Sequence, residues 1–300
     1  MLIMNTLLTL LTICIVVIVY IHIVFQLKTS NDLELFELDT PTKTKLEEVC
    51  NLRQPLLFPY NDPDINAITP AKLVEYKAFD VSVYDSSYNM SSVSLNNAFQ
   101  LFDKKNYISI HNSTFLHETM LSRQFIATDA YLRPPMVSSI TYDLLCGSPG
   151  STTRLEYSTH YRNYFYVSNG SITIKLTPPR NEKYLEVEKD YANQLYYSTV
   201  YPWNTLDKVK FLEITLVKGQ MLFIPAYWWY SIKFEKDSCV CTFQYKTVMN
   251  IIATLPDICI GILQRQNTKT KLNSVITPSS PANPSSSGES HTSTVPDVPP

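Results

Sequence analysis

From Leu7 to Phe25 the chain reads LLTLLTICIVVIVYIHIVF, about 19 residues with no formal charge and a single imidazole, His22. A run of this length and hydropathy matches the hydrocarbon thickness of a bilayer. In lipid its backbone polar groups can only be satisfied within a helix. The run therefore predicts a membrane anchor over residues 1–27 and makes the lipid bilayer the first expected partner. A cleavable signal peptide is the competing reading. Against it, the apolar run exceeds a usual signal core, no basic side chain precedes it and no small-residue cleavage site follows it.

The basic residues after the span, Lys28, Lys43 and Lys45, place the following domain on the cytoplasmic side. Asn89-Met-Ser, Asn112-Ser-Thr and Asn169-Gly-Ser are glycosylation acceptor patterns and favour the opposite side. Cysteine usage sides with the cytoplasm. Cys14 falls in the span, and Cys50, Cys146, Cys239, Cys241 and Cys259 form no disulfide framework. The expectation is a single-pass membrane protein with a cytoplasm-facing domain.

With 45% apolar and 17% charged residues, the 300-residue chain has ample material for one globular core. A formal net charge of −2 leaves no electrostatic footprint for nucleic acid. After an acidic stalk over residues 28–42, the sequence from 43 to 138 mixes helical and strand signals. TPAKLVEYKAF reads as a helix opened by Thr69 with Pro70 at its first position. DVSVYDS reads as a strand, and STFLHETMLSRQF as one amphipathic helix capped by Ser113 or Thr114. From 139 to 247 strands dominate: ITYDLLC, NYFYVSN, SITIKLT, KFLEITLV, QMLFIPA, YSIKF and SCVCTFQYK. Seven short strands between turn signals predict a sandwich or barrel. YANQLYYSTVYPWNTLD, inserted between them, reads as a Tyr-rich surface loop tacked down by Trp203. Residues 248–267 return to helical spacing, broken at Pro256, and predict a helix pair packed on the sheet or forming a homo-oligomer face. The Ser/Pro-rich stretch 268–300 cannot bury a core and is expected to be disordered.

The stretch GSPGSTTRLEYSTHYRNYFYVSNGSITIKLTPP, followed by LVKGQMLFIPAYWWYSIKF, resembles the core of the Jumonji-C and cupin-like oxygenases, including the asparaginyl hydroxylase type. The matching landmarks are Gly147, Gly150, Asn163, Gly170, Pro178, Pro179, Gly219, Ile224, Pro225, Trp228 and Trp229. The resemblance implies a mainly β, α+β domain: a double-stranded β-helix of the cupin or jelly-roll kind with flanking helices. It also implies a ferrous centre held by two His and one carboxylate, with positions open for 2-oxoglutarate and oxygen.

Those ligands are missing. Counted from Gly150, the two positions that should read His-x-Asp are Glu156 and Ser158. Counted back from Asn163, they are Tyr157 and Thr159. The distal His position is Tyr230 in either register. The position for a basic residue that would hold 2-oxoglutarate falls near Ile172, and Lys175 points to the opposite face of that strand. Asn163, Ile172, Tyr227 and Trp228 are the expected lining of a vestigial pocket. Of the histidines outside the span and tail, His160 with Glu156 is the one candidate metal pair, while His117 and Glu118 lie on a helix and face solvent.

Trp228 and Trp229, adjacent on a strand, must point to opposite faces, one into the barrel and one outside it. The segments LEYSTHYRNYF, IPAYWWYSIKF and the LQRQN ending are also similar to cupin-like membrane proteins of large DNA viruses and their algal hosts, which implies a virion or host-membrane location. Together these readings predict a membrane-anchored cupin-like domain with no catalytic residue, metal or cofactor, acting in binding or assembly. The alternative is an iron- and 2-oxoglutarate-dependent hydroxylase with an atypical site. A third reading places a sugar or lipid headgroup in the emptied barrel mouth.

Overall fold

The computed structural model describes residues 2–267 apart from Lys105, Thr205 and Asp207. The stretch 268–300, expected to be disordered, lies outside the described residues. Eight strands build the central barrel: β1 (Val137–Gly147), β2 (Leu155–Tyr157), β3 (Arg162–Asn169), β4 (Ser171–Thr177), β5 (Leu212–Val217), β6 (Gln220–Pro225), β7 (Trp229–Phe234) and β8 (Cys239–Thr247). The larger sheet carries the order β6-β3-β8-β1 and the smaller one β2-β7-β4-β5, so the chain passes back and forth between the two layers. Neighbours within each layer are antiparallel. This is the layout of two antiparallel sheets consistent with a cupin barrel.

Period-two alternation explains the closure. On β4, Ile172, Ile174 and Leu176 turn inward, and on β3, Phe165 and Val167 meet them in the barrel core. The other face of the larger sheet, with Tyr164, Tyr166, Met221, Phe223, Cys241 and Phe243, buries itself against the N-terminal flank. The β3–β4 turn depends on Gly170, whose φ of +71° suits glycine and whose missing Cβ would stand 2.9 Å from Ser238 Cα.

The larger sheet is extended by flanking strands on both sides. Phe36–Glu37 and Leu56–Pro59 add beyond β6, and Ile108–Ser109, Asp80–Tyr84 and Met90–Ser94 add beyond β1. The segment read as a stalk is held to the domain: Phe36 pairs in parallel with Leu56, and Trp228 Nε1 donates to Ser30 O at 3.1 Å.

Three local readings are corrected. The barrel has an eighth strand, β2, whose three residues are too few to show alternation. The Tyr-rich segment is not a loop throughout, since Leu195–Ser198 within it forms a hairpin with the preceding Val187–Asp190 and pairs with β2, widening the smaller sheet. Trp203 is tacked down as expected, its Nε1 donating to Ser231 Oγ at 2.9 Å. The single helix predicted over STFLHETMLSRQF stops at Glu118. Asn112, not Ser113 or Thr114, precedes it, and Met120 takes a left-handed φ of 57° that redirects the chain into a 3-10 turn, Leu121–Phe125. Burial of Leu121 and Phe125 outweighs continuation of the helix.

The N-terminal apolar helix runs Leu2–Leu27, and Met4–Leu27 is long and apolar enough to cross a membrane. Its residues are exposed from Met4 to His22. After the barrel the helix pair read around a proline break is present. Pro256 sits in the first turn of helix Leu255–Asn267, directly after the shorter helix Val248–Ala253, where a missing N–H costs least.

Candidate functional site

At one end of the barrel the inward positions of β1, β2, β7 and β8 change from apolar to polar. Thr141 and Asp143 from β1, Glu156 from β2, Tyr230 from β7, and Thr242, Gln244 and Lys246 from β8 surround a cavity of about 310 Å³. The loop after β2 contributes Ser158 and His160, and His111 stands on the rim. The hairpin tip, Asn193–Tyr196, closes one side.

Glu156 and Tyr230 are register partners on adjacent antiparallel strands, and both side chains line the cavity. Burial raises the Glu156 carboxyl above its ordinary value, only partly offset by His111, the Tyr230 hydroxyl and Arg154. Burial, then the Glu156 charge, holds the Tyr230 phenol well above the ordinary tyrosine value. Asp143 is shifted upward too, by burial. His111 and the backbone N–H groups of Asn112, His111 and Leu144 act against that shift. Its carboxylate accepts from His111 N and Leu144 N, each at 2.8 Å. His160 is pushed down to about 3 by burial and by the Lys246 charge, so its imidazole is neutral at physiological pH. Its Nδ1 lies 2.7 Å from Ser158 Oγ. Thr242 Oγ1 is buried with no hydrogen-bond partner, as is Asn163 Oδ1.

The structure brings Glu156, Ser158 and Tyr230 to one cavity, and Tyr157 and Thr159, the positions of the other register, border the same cavity. Tyr157 also stacks on Tyr196 with ring centroids 4.9 Å apart and packs edge-on against Trp229. The four residues expected as vestigial lining stand off the cavity. Ile172 and Trp228 are buried in the apolar barrel core. Asn163 is buried and donates through Nδ2 to Ile224 O at 3.2 Å. Tyr227 occupies the turn before β7 with φ 66°. Lys175 faces outward, 3.6 Å from Glu213 and over the Trp203 ring. Trp228 and Trp229 do separate to opposite faces, yet both are fully buried, because residues around Leu185 and Val209 cover the outer one.

Asp143, Thr242, Gln244 and Lys246 were not singled out from the sequence. Their signal was present as polar residues at every second position of ITYDLLC and SCVCTFQYK, in phase with inward Leu145 and Val240. One acceptor pattern also changes meaning. Asn112 is buried, and its amide donates to Ser109 Oγ at 2.9 Å and Leu144 O at 2.8 Å, so its side chain is a structural brace.

The donor set does not fit a ferrous centre. Burial keeps the proton on the Tyr230 phenol, which stands beside the one carboxyl in ligand position, and Ser158 is engaged with His160. Among the described residues no group of three or more His, Cys, Asp and Glu side chains is arranged to hold a metal ion. What the cavity offers is a mixture of hydrogen-bond acceptors, donors and one ammonium group around a small volume.

The sequence model of a family described as a cupin-like domain matches residues 70–250, more than half of the chain. Comparison with curated proteins finds no match.

Proposed function

The chain belongs to the cupin-like domain family, and from that premise we propose that it is a membrane-anchored binding protein, its barrel mouth taking a small hydroxyl-rich molecule in place of iron and 2-oxoglutarate. The observation that carries this reading is the pairing of Glu156 with Tyr230 across β2 and β7 on the wall of one cavity, at two of the positions where the family's oxygenases would place metal ligands. A phenol that keeps its proton is a poor ligand for Fe(II) at neutral pH, but beside a carboxyl it is a good partner for alcohols and amines. Thr242 Oγ1, buried without a partner, supplies a further hydrogen-bonding group that a bound molecule would satisfy. A sugar or a lipid headgroup suits such a cavity, and a position at a membrane would bring the second within reach. The N-terminal helix acts as the anchor, and the basic residues that follow it favour a cytoplasm-facing domain on a virion or host membrane.

The test is anaerobic Fe(II) loading of the full chain in detergent, with metal analysis and measurement of succinate release from 2-oxoglutarate. The expected result is no stoichiometric iron and no succinate above the protein-free rate. One equivalent of tightly held iron with turnover would overturn the reading. The triple variant Glu156→His, Ser158→Asp, Tyr230→His should gain Fe(II) affinity, because the three positions already face one cavity. Thermal shift against simple sugars and phosphoglycerol headgroups then searches for the ligand.

A further inference from the structure

The last helix of the described chain meets the domain through Gly261, Gln264 and Arg265. Helix Leu255–Asn267 lies against the hairpin tip, where Gln264 Oε1 accepts from Ala192 N at 3.1 Å and Arg265 Nε donates to Ala192 O at 2.8 Å. Gly261 makes that contact close: a Cβ there would stand 2.3 Å from Tyr191 O, so the helix is held in one rotation about its axis. That rotation points Leu255, Ile262 and Leu263 outward, half or more exposed at 50%, 52% and 60%. Cys259, one turn from Leu255 and Ile262, is exposed on the same stripe. The preceding short helix adds exposed Val248 and Ile252. An apolar stripe facing away from the protein, on a helix that meets the domain through a glycine and two polar side chains, departs from an ordinary surface helix, which buries its apolar side.

The neighbouring element indicates what covers it. Helix Val248–Ala253 packs against the N-terminal apolar helix, whose cover begins only at Ile23, Val24 and Gln26. The junction is rigid. Arg53 donates to Gln26 O at 3.0 Å and to Lys28 O, lies 4.3 Å from the Phe25 ring centroid, and accepts from Ser30 N through its own carbonyl. The apolar helix therefore leaves the domain beside the outward stripe, with no free linker between them.

We infer that the stripe formed by Val248, Ile252, Leu255, Ile262 and Leu263 is a membrane-docking surface that lies in the headgroup and upper acyl region of the bilayer crossed by the N-terminal helix, holding the barrel against the lipid. This inference rests on the anchor reading above. In-plane apolar helices of this kind bind lipid in proportion to the apolar area they bury, and here the anchor already confines the stripe to the membrane surface.

The exposed native cysteines, Cys14 in the apolar helix and Cys259 in the stripe, serve as reporters, since Cys50, Cys146, Cys239 and Cys241 are buried. The full chain, as Cys14→Ser or Cys259→Ser, is labelled with a fluorophore at the remaining exposed cysteine and reconstituted in phosphatidylcholine vesicles. Quenching is measured with lipids brominated at shallow or deep acyl positions and with aqueous iodide. The expected result is deep-lipid quenching at Cys14 and shallow-lipid quenching at Cys259. The double substitution Ile262→Glu, Leu263→Glu should lower the Cys259 lipid quenching several-fold and leave Cys14 unchanged. Iodide access at Cys259 with Cys14 deep in lipid would overturn the docking surface and leave the anchor standing. Shielding of Cys259 from both quenchers would overturn it in favour of a second copy of the chain. Iodide access at Cys14 would overturn the anchor itself.

Discussion

At one end of the barrel Val167, Ile172, Leu216, Phe234 and Val240 close into an apolar core, while at the other end Asp143, Glu156, Tyr230, Thr242 and Lys246 face a cavity. Strands β1, β7 and β8 contribute to both: Leu145 is followed inward by Asp143, Phe234 by Ile232 and Tyr230, and Val240 by Thr242. The difference shows that cohesion and chemistry are divided along the strand axis. Apolar burial at about 25 cal/mol per Å² supports the closed end, whereas buried polar groups at the mouth contribute little net stability and are retained there at a desolvation cost.

The largest effect expected from this contrast is at the closed end. Phe234 is fully buried there and is the register partner of Ile172. Phe234→Ala should cost about 3–5 kcal/mol in urea unfolding, the range for truncating a buried aromatic. A loss below about 1 kcal/mol would break the contrast, because the apolar end would then not be what holds the barrel.

A smaller effect, dependent on pH, is expected from His160. Burial and the Lys246 charge hold its native pKa down at about 3, against an ordinary value of 6.5. The unfolded chain thus binds a proton that the native chain refuses, so stability is full above 6.5 and falls as pH drops from there toward 3. His160→Asn should flatten that part of the melting-temperature profile. An unchanged acid slope would show that the imidazole is solvated in the native state.

The smallest effect, of opposite sign, belongs to Glu156. Its raised carboxyl binds protons more readily in the native state than in the unfolded chain, so it destabilises the fold as pH rises above the ordinary 4.5. Glu156→Gln, which keeps an acceptor for Tyr230, should leave stability at neutral pH equal or higher by up to about 1 kcal/mol. The advantage should vanish in acid. A marked loss at neutral pH would make the Glu156–Tyr230 pair a structural brace and weaken the case for a ligand site.

Alternation over SITIKLT and QMLFIPA, with turns at Gly170 and Gly219, made the long barrel strands readable, because period two appears directly in residue order. Three-residue β2 carries too little pattern, and the hairpin 187–198 is a strand pair because β2 offers it an edge, which is a tertiary fact. Glu156 and Tyr230 were legible as a pair only by counting along a resemblance. That the carboxyl and the phenol stand side by side depends on the β2–β7 register. Asp143 and Lys246 stood in the pattern but had no reason to be chosen until β1 and β8 were seen to border the same space.

By itself the sequence determined the apolar helix, the strand-rich core and the loss of the histidine ligands, since each follows from which side chains occur and at what spacing. Tertiary structure alone decided that the polar residues converge on one mouth and that helix Leu255–Asn267 turns its apolar stripe outward. Both depend on strand register and on the close contact at Gly261, through which distant parts of the chain fix one another's orientation.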